Sequence, residues 1–256
     1  IHFKHAKLTA FGSTRRPRFA VDQDPIIQDL LKAETPAVAL FGKSWDLHVR
    51  DILRISLEEN LEIIFDSVKF FKDHHREVIY DAEHFFDGYK NNPSYALQTL
   101  KAACEAGADV LVLCDTNGGT LPFEALDIIK AVQKEFSVPL GVHIHNDSGV
   151  AAAISIMAVQ SGITHVQGTF NGYGERCGNA NLSTIIPTLV LKLGYTCSCS
   201  PSLDKLTETS RYIAELTNLH HDERQPYVGA SAFAHKAGTH ADAIRKNTVA
   251  LEHISP

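Results

Sequence analysis

Val138-Pro-Leu-Gly-Val-His-Ile-His-Asn-Asp147 opens on apolar residues and closes with four polar groups in its last five positions. In a strand, residues two apart share a face. His143 and His145 therefore project side by side, and Ile144 faces the opposite way. Two imidazoles converging at one strand end make half of a divalent-metal site. The plain alternative is two unrelated polar residues at a strand exit.

The same apolar-to-polar run recurs along the chain. Strand-like segments cover residues 6–11, 37–41, 77–83, 109–115, 138–145 and 164–170. Near-continuous apolar runs suit strands buried on both faces of a parallel sheet. Helical segments separate them. Ser56-Leu-Glu-Glu59 opens one with a capping-box pattern, and Leu57, Leu61, Ile64, Val68 and Phe71 mark its apolar stripe. Asn92-Pro93 supplies an N-cap and a proline at the first helical position of the next. Residues 121–136, 149–160 and 182–193 complete the set.

Alternating strands and helices define a parallel α/β fold. No Gly-x-Gly-x-x-Gly loop supports a dinucleotide-binding sheet. Polar residues gather instead at successive strand ends, in residues 13–16, 43–44, 81–84, 115–117, 143–147 and 171–176. That is where a TIM-type (β/α)8 barrel keeps its chemistry. Six strands are legible, so the first two of eight are expected to lie outside these 256 residues. After Gly194 the strand rhythm stops. Residues 1–195 are expected to form a partial catalytic barrel and residues 196–256 a small helical subdomain, with a helix over residues 200–219.

Composition narrows the function classes. With 44% hydrophobic and 21% charged residues the chain reads as an ordinary soluble globular protein. A net charge of −6 argues against nucleic acid as a partner. No apolar run approaches the roughly 20 residues of a membrane span, and the first residues lack a signal-peptide pattern. Five cysteines, mostly in core-like segments, suggest a reduced, cytoplasmic setting. Ile1 is not an initiator and a strand follows almost at once, so the chain reads as a segment of a longer polypeptide.

Further candidates for chemistry lie at the strand ends and beyond. Asn171-Gly-Tyr-Gly-Glu-Arg-Cys-Gly-Asn179 has three glycines that permit tight turns near a ligand. Asn179 could give a neutral oxygen to a metal, and Glu175 and Arg176 could pair; a plain turn is the alternative. Glu83 and Thr116 end two strands, offering a carboxylate and a hydroxyl. Arg15 and Arg16 follow the first strand and could hold phosphate groups or a carboxylate of a ligand, or be a solvated pair. In Phe233-Ala-His-Lys-Ala-Gly-Thr-His-Ala-Asp242, His235 and His240 are five apart and do not share a helix face. One of them could act as an acid or base over an active site. Two histidines with amide or carboxylate oxygens favour Mn²⁺, Mg²⁺ or Zn²⁺. Such an ion can chelate a 2-oxo acid and polarise its carbonyl.

His143-Ile-His145-Asn-Asp147, Gly172-Tyr-Gly-Glu-Arg-Cys-Gly-Asn-Ala180 and Ala232-Phe-Ala-His-Lys-Ala-Gly-Thr-His240 resemble the 2-isopropylmalate synthase, homocitrate synthase and citramalate synthase family. Ala10-Phe-Gly-Ser-Thr-Arg-Arg16, Asp81-Ala-Glu-His-Phe-Phe-Asp-Gly-Tyr-Lys90, Cys114-Asp-Thr-Asn-Gly-Gly119 and Arg224-Gln-Pro-Tyr-Val-Gly-Ala230 look most like its citramalate-synthase type. The resemblance implies a metal-dependent TIM-barrel acyltransferase of isoleucine or leucine biosynthesis. It would condense acetyl-CoA with a 2-oxo acid, pyruvate for the citramalate type, and release CoA. It implies His143 and His145 as metal ligands with Asn179 as a weaker one. Thr116 would bind the oxo-acid carboxylate, and Glu83 would handle the acetyl methyl proton. His240 and Asp242 would reach the active site of a partner subunit in a homodimer.

The family's first strand carries Asp-x-x-x-Arg-Asp-Gly, which supplies a metal carboxylate and an arginine. These 256 residues hold no such segment, so weak metal binding is expected of them. Leu251 stands where the family usually has an aromatic residue, and the family's C-terminal regulatory domain is expected to lie outside these 256 residues. Three alternatives remain open: 2-isopropylmalate or homocitrate synthase with another oxo acid, a metal-dependent acyl-CoA lyase or aldolase, and an inactive truncated remnant. Gly174-Glu-Arg-Cys-Gly-Asn179 favours the synthases, because acyl-CoA lyases are expected to carry Gly-Gly-Cys-Pro there.

Overall fold

Each apolar run becomes a strand of one parallel sheet in the computed structural model, which describes residues 3–247 and 250–254. In chain order come β1 (Thr9–Ser13), α1 (Pro25–Lys32), β2 (Ala37–Lys43), α2 (Leu57–Asp73), β3 (Glu77–Glu83), α3 (Phe85–Asn91), α4 (Pro93–Glu105) and β4 (Val110–Asp115). Then follow α5 (Pro122–Glu135), β5 (Leu140–Ile144), α6 (Ala151–Gln160) and β6 (His165–Gln167). Residues 1–167 form one compact unit and residues 168–256 a second, which holds α7 (Leu182–Pro187), α8 (Leu206–Leu216) and α9 (Gly238–Lys246).

The strand order is β1-β2-β3-β4-β5-β6, with every pair parallel. A doubly wound sheet would reverse direction at a switch point; here each strand joins the next. Curvature is visible in a side-chain bond: Gln167 on β6 donates from Nε2 to Asp81 Oδ1 on β3 at 2.8 Å. In a flat sheet these strands would stand about 14 Å apart, at about 4.8 Å per step. The sheet is therefore curled, an arc of a TIM-type (β/α)8 barrel, as expected. Ala39, Ile79, Val112 and Cys114 pack as one buried cluster from alternate positions of β2, β3 and β4. Positions that continue those rows bring polar groups to the C-terminal rim: Lys43 on β2, Asp81 and Glu83 on β3.

The helices follow local chemistry. Ser56 Oγ accepts the Glu59 N–H at 3.0 Å and starts α2, whose Ile64, Val68 and Phe71 are buried as the stripe required, with Ile63 beside them. Asn92 Oδ1 accepts the Tyr95 N–H and Pro93 opens α4. Two short helices of the first unit escape the sequence pattern. Asp24 caps α1, its carboxylate accepting from the backbone N–H of Ile26 and Ile27. α3 follows His84, whose φ of 57° lies in the left-handed region, and it presses Gly88 against Ser44. A Cβ at Gly88 would lie 2.2 Å from the Ser44 carbonyl oxygen.

In the second unit the chain leaves the ladder early. Thr169 donates to Ala180 O at 3.0 Å and accepts from Leu182 N at 2.9 Å, so the expected strand over residues 164–170 is shortened to β6. The expected helix over residues 182–193 begins as α7 and then loosens into a turn of π-helix at Thr188–Lys192. Among the described residues no strand follows β6.

Candidate active site

The histidine pair sits where the period-2 argument put it. His143 Nε2 and His145 Nε2 stand 3.3 Å apart at the end of β5. Two nitrogens each about 2.1 Å from one ion would be about 3.0 Å apart at a right angle and about 3.4 Å apart at a tetrahedral one. The observed spacing falls between these limits. The other nitrogen of His143, Nδ1, lies 2.8 Å from Gln167 Oε1, the outer-shell contact that orients metal-binding imidazoles. Gln167 in turn donates to Asp81. Burial pushes the Asp81 carboxyl up to about 7, and the Gln167 bond only partly opposes it. Among the described residues no group of three His, Cys, Asp or Glu side chains is placed to hold a metal. The imidazole pair fits two ligands of a divalent ion.

Next to this pair, the ends of β2, β3 and β4 form a second polar group. Lys43 Nζ meets Glu83 Oε2 at 2.6 Å, both largely buried. The His84 N–H donates to Thr116 Oγ1 at 2.8 Å, which ties Thr116 to the residue following Glu83. Asp87 accepts from Asn117 Nδ2 at 2.9 Å and faces His84 Nδ1 at 3.3 Å. The rings of His48 and His84 are 4.2 Å apart, and Trp45 stacks on His48. Burial, then the neighbouring His84 and Lys43, hold the His48 imidazole below its usual range. His48 starts a turn of π-helix over His48–Leu53, a local distortion frequent at functional sites. Sequence reasoning placed His84 only within the polar run 81–84 and did not single out His48, Trp45 or Gln167.

Arg15 and Arg16 border the same small cleft as Lys43 and Glu83, about 90 Å³ in volume. Both are engaged. Arg15 donates from Nη2 and Nε to Asp66 Oδ2 at 2.7 and 3.0 Å, and from Nη1 to the Phe19 carbonyl. Arg16 Nε donates to Asp24 Oδ2 at 3.1 Å, and its guanidinium lies 4.3 Å from the Phe19 ring centroid. Burial acts to raise the Asp24 carboxyl, but bonds from Arg16, Ile26 and Ile27 outweigh it and hold it low.

The remaining candidates belong to the second unit. Residues 172–179 wind tightly: Asn179 N donates to Gly172 O at 3.0 Å, and its Nδ2 to Tyr173 O at 3.2 Å. Gly178 has φ of 87°, and a Cβ there would lie 1.9 Å from Gly172 O. Among the described residues Asn179 Oδ1 is buried with no hydrogen-bond partner, a neutral oxygen that could accept a bond from a ligand or coordinate an ion. Glu175 and Arg176 form the expected pair at 3.9 Å. The two motif histidines separate in role: His235 Nε2 is tied to Glu252 Oε1 at 2.7 Å, whereas His240 is exposed on α9. Asp242, also exposed, pairs with Lys246 at 2.5 Å.

A parallel barrel arc with its polar side chains gathered at the C-terminal strand ends is a (β/α)8 scaffold. The HMGL-like family matches residues 4–213, and this chain belongs to that family. It is 57% identical over 257 residues to the (R)-citramalate synthase of Aquifex aeolicus, covering 100% of this chain and 49% of that protein. It is 37% identical over 221 residues to the 2-isopropylmalate synthase of Sulfolobus acidocaldarius, covering 86% of this chain and 56% of that protein. The chain thus spans about half the length of these relatives. Among solved structures, a Bacillus subtilis HMG-CoA lyase matches with a TM-score of 0.72 at 20% identity, covering 87% of this chain and 74% of that one, which supports the barrel fold.

Proposed function

We propose that the protein condenses acetyl-CoA with pyruvate to give citramalate, with release of CoA, using a divalent ion. The observation that carries the chemistry is the 3.3 Å convergence of His143 and His145. What favours pyruvate over a branched or dicarboxylic oxo acid is the higher identity to a citramalate synthase than to a 2-isopropylmalate synthase, 57% against 37%. His143 and His145, with the Asn179 amide oxygen, would hold Mn²⁺, Mg²⁺ or Zn²⁺, which supplies Lewis-acid polarisation of the oxo-acid carbonyl. Thr116, fixed by the His84 N–H, receives the oxo-acid carboxylate. Glu83, held by Lys43, takes part in removing a proton from the acetyl methyl group. The resulting carbon nucleophile forms the new C–C bond, and water then cleaves the thioester to free CoA. Positioned acid/base groups contribute typically about 10²–10⁴-fold to such steps.

Residues 1–195 serve in this reading as the catalytic barrel portion and residues 196–256 as the helical subdomain. Exposed His240 and Asp242 would act in the site of a second copy, which makes the working form a homodimer, in the cytoplasm. Arg15 and Arg16, already bound to Asp66 and Asp24, would meet CoA phosphates or a substrate carboxylate only with their remaining N–H groups. No helix of the described residues is long and apolar enough to cross a membrane. The test is thiol release from acetyl-CoA by the purified protein. Release that requires both pyruvate and Mn²⁺ or Mg²⁺ is expected; none with any oxo acid contradicts the proposal.

A further inference from the structure

We infer that Asp81 and Gln167 are positioning residues that fix which nitrogen of His143 carries its proton. This rests on the proposed metal role of His143. Asp81 Oδ1 accepts from Gln167 Nε2 at 2.8 Å, and Gln167 Oε1 faces His143 Nδ1 at 2.8 Å. The chain of bonds has one consistent direction. Above pH 7 Asp81 is ionised and a carboxylate only accepts, so it orients the Gln167 amide with its NH₂ toward Asp81 and its oxygen toward His143. That oxygen also only accepts, so His143 Nδ1 must donate. The proton is thereby held at Nδ1, and the Nε2 lone pair is directed toward His145 Nε2, 3.3 Å away. A metal ligand needs this tautomer, and the order of elements is the familiar carboxylate-to-histidine support with an amide inserted. The amide has a structural reason. Asp81 is on β3 and His143 on β5, two strands apart; Gln167, paired in register with His143 on β6, spans the barrel interior to reach both.

The test is a nitrogen–proton correlation spectrum of metal-free protein at pH 8 together with a Mn²⁺ titration. His143 protonated at Nδ1 is expected. Gln167→Leu, close in volume and unable to hydrogen-bond, should lose that preference and weaken Mn²⁺ binding about 10–100-fold. Asp81→Asn combined with Gln167→Glu reverses donor and acceptor at the first bond and keeps the acceptor for His143. It should restore the tautomer, and a merely structural role predicts no such rescue. His143 protonated at Nε2 in the unaltered protein would overturn the inference, as would an unchanged tautomer and affinity in Gln167→Leu. Absence of Mn²⁺ binding by the unaltered protein, with the Nδ1 tautomer present, would count against the proposed function and not against the relay.

Discussion

Gln167 and Asp81 meet through a 2.8 Å hydrogen bond although three strand steps separate β6 from β3. The contact exists only because the sheet curls, so it links fold to chemistry. Barrel curvature brings a buried carboxylate to the support of a histidine that a flat sheet would leave out of its reach. It also sets a conflict between stability and function, because the carboxylate lies where water does not reach.

That conflict is measurable. The Asp81 carboxyl titrates near 7 in the folded chain against an ordinary 3.8. Between these values the folded state holds a proton that the unfolded state has lost, so folding stability falls as pH rises through this window. Above pH 7 the full cost of a buried charge is present. Asp81→Asn should therefore raise thermal stability at pH 8, by on the order of 4 kcal/mol. The gain should shrink as pH is lowered and vanish near pH 4. A variant less stable than the parent at pH 8, by calorimetry, contradicts this account of Asp81.

His143→Ala and His240→Ala should fail in different ways. The first removes one of two converging imidazoles and should abolish activity with loss of bound Mn²⁺. The second alters an exposed helix residue and should leave metal content unchanged while turnover stops. Metal analysis alongside CoA release separates them; full activity of His240→Ala would remove that residue from the mechanism.

Glu83→Gln keeps the shape of the side chain and removes its charge and its ion pair with Lys43. CoA release should fall about 10²–10⁴-fold with Mn²⁺ affinity retained. Activity within threefold of the parent would mean that Glu83 handles no proton.

Gly178→Ala tests the loop that presents Asn179. The backbone there is left-handed and a Cβ would strike the Gly172 carbonyl. Strain of this kind costs about 1–3 kcal/mol, so a lower melting temperature and weaker metal binding are expected together. Unchanged melting would show that the loop relaxes freely and does not fix Asn179.

Much of this was legible in the sequence. The strand over residues 77–83 and the start of the helix at Pro93 are found where expected, because a near-continuous apolar run, an Asn cap and a first-turn proline act locally. Period 2 alone placed His143 beside His145. Gln167 was not legible, because its role depends on a bond between residues 86 apart in the chain. The Arg15–Asp66 pair likewise joins residues 51 apart. α3 was missed because Gly88 and the left-handed His84 suit it only when packed under Ser44. α9 was missed because its histidine- and alanine-rich sequence shows no apolar stripe, and it has no buried residue.

The proposed condensation is open to one direct measurement, kcat/KM for CoA release across pyruvate, 2-oxoisovalerate and 2-oxoglutarate, with Mn²⁺ present. Turnover that depends on the metal and clearly favours pyruvate is expected. Preference for 2-oxoisovalerate or 2-oxoglutarate would contradict the assigned acceptor, and no release with any of the three would contradict the condensation itself.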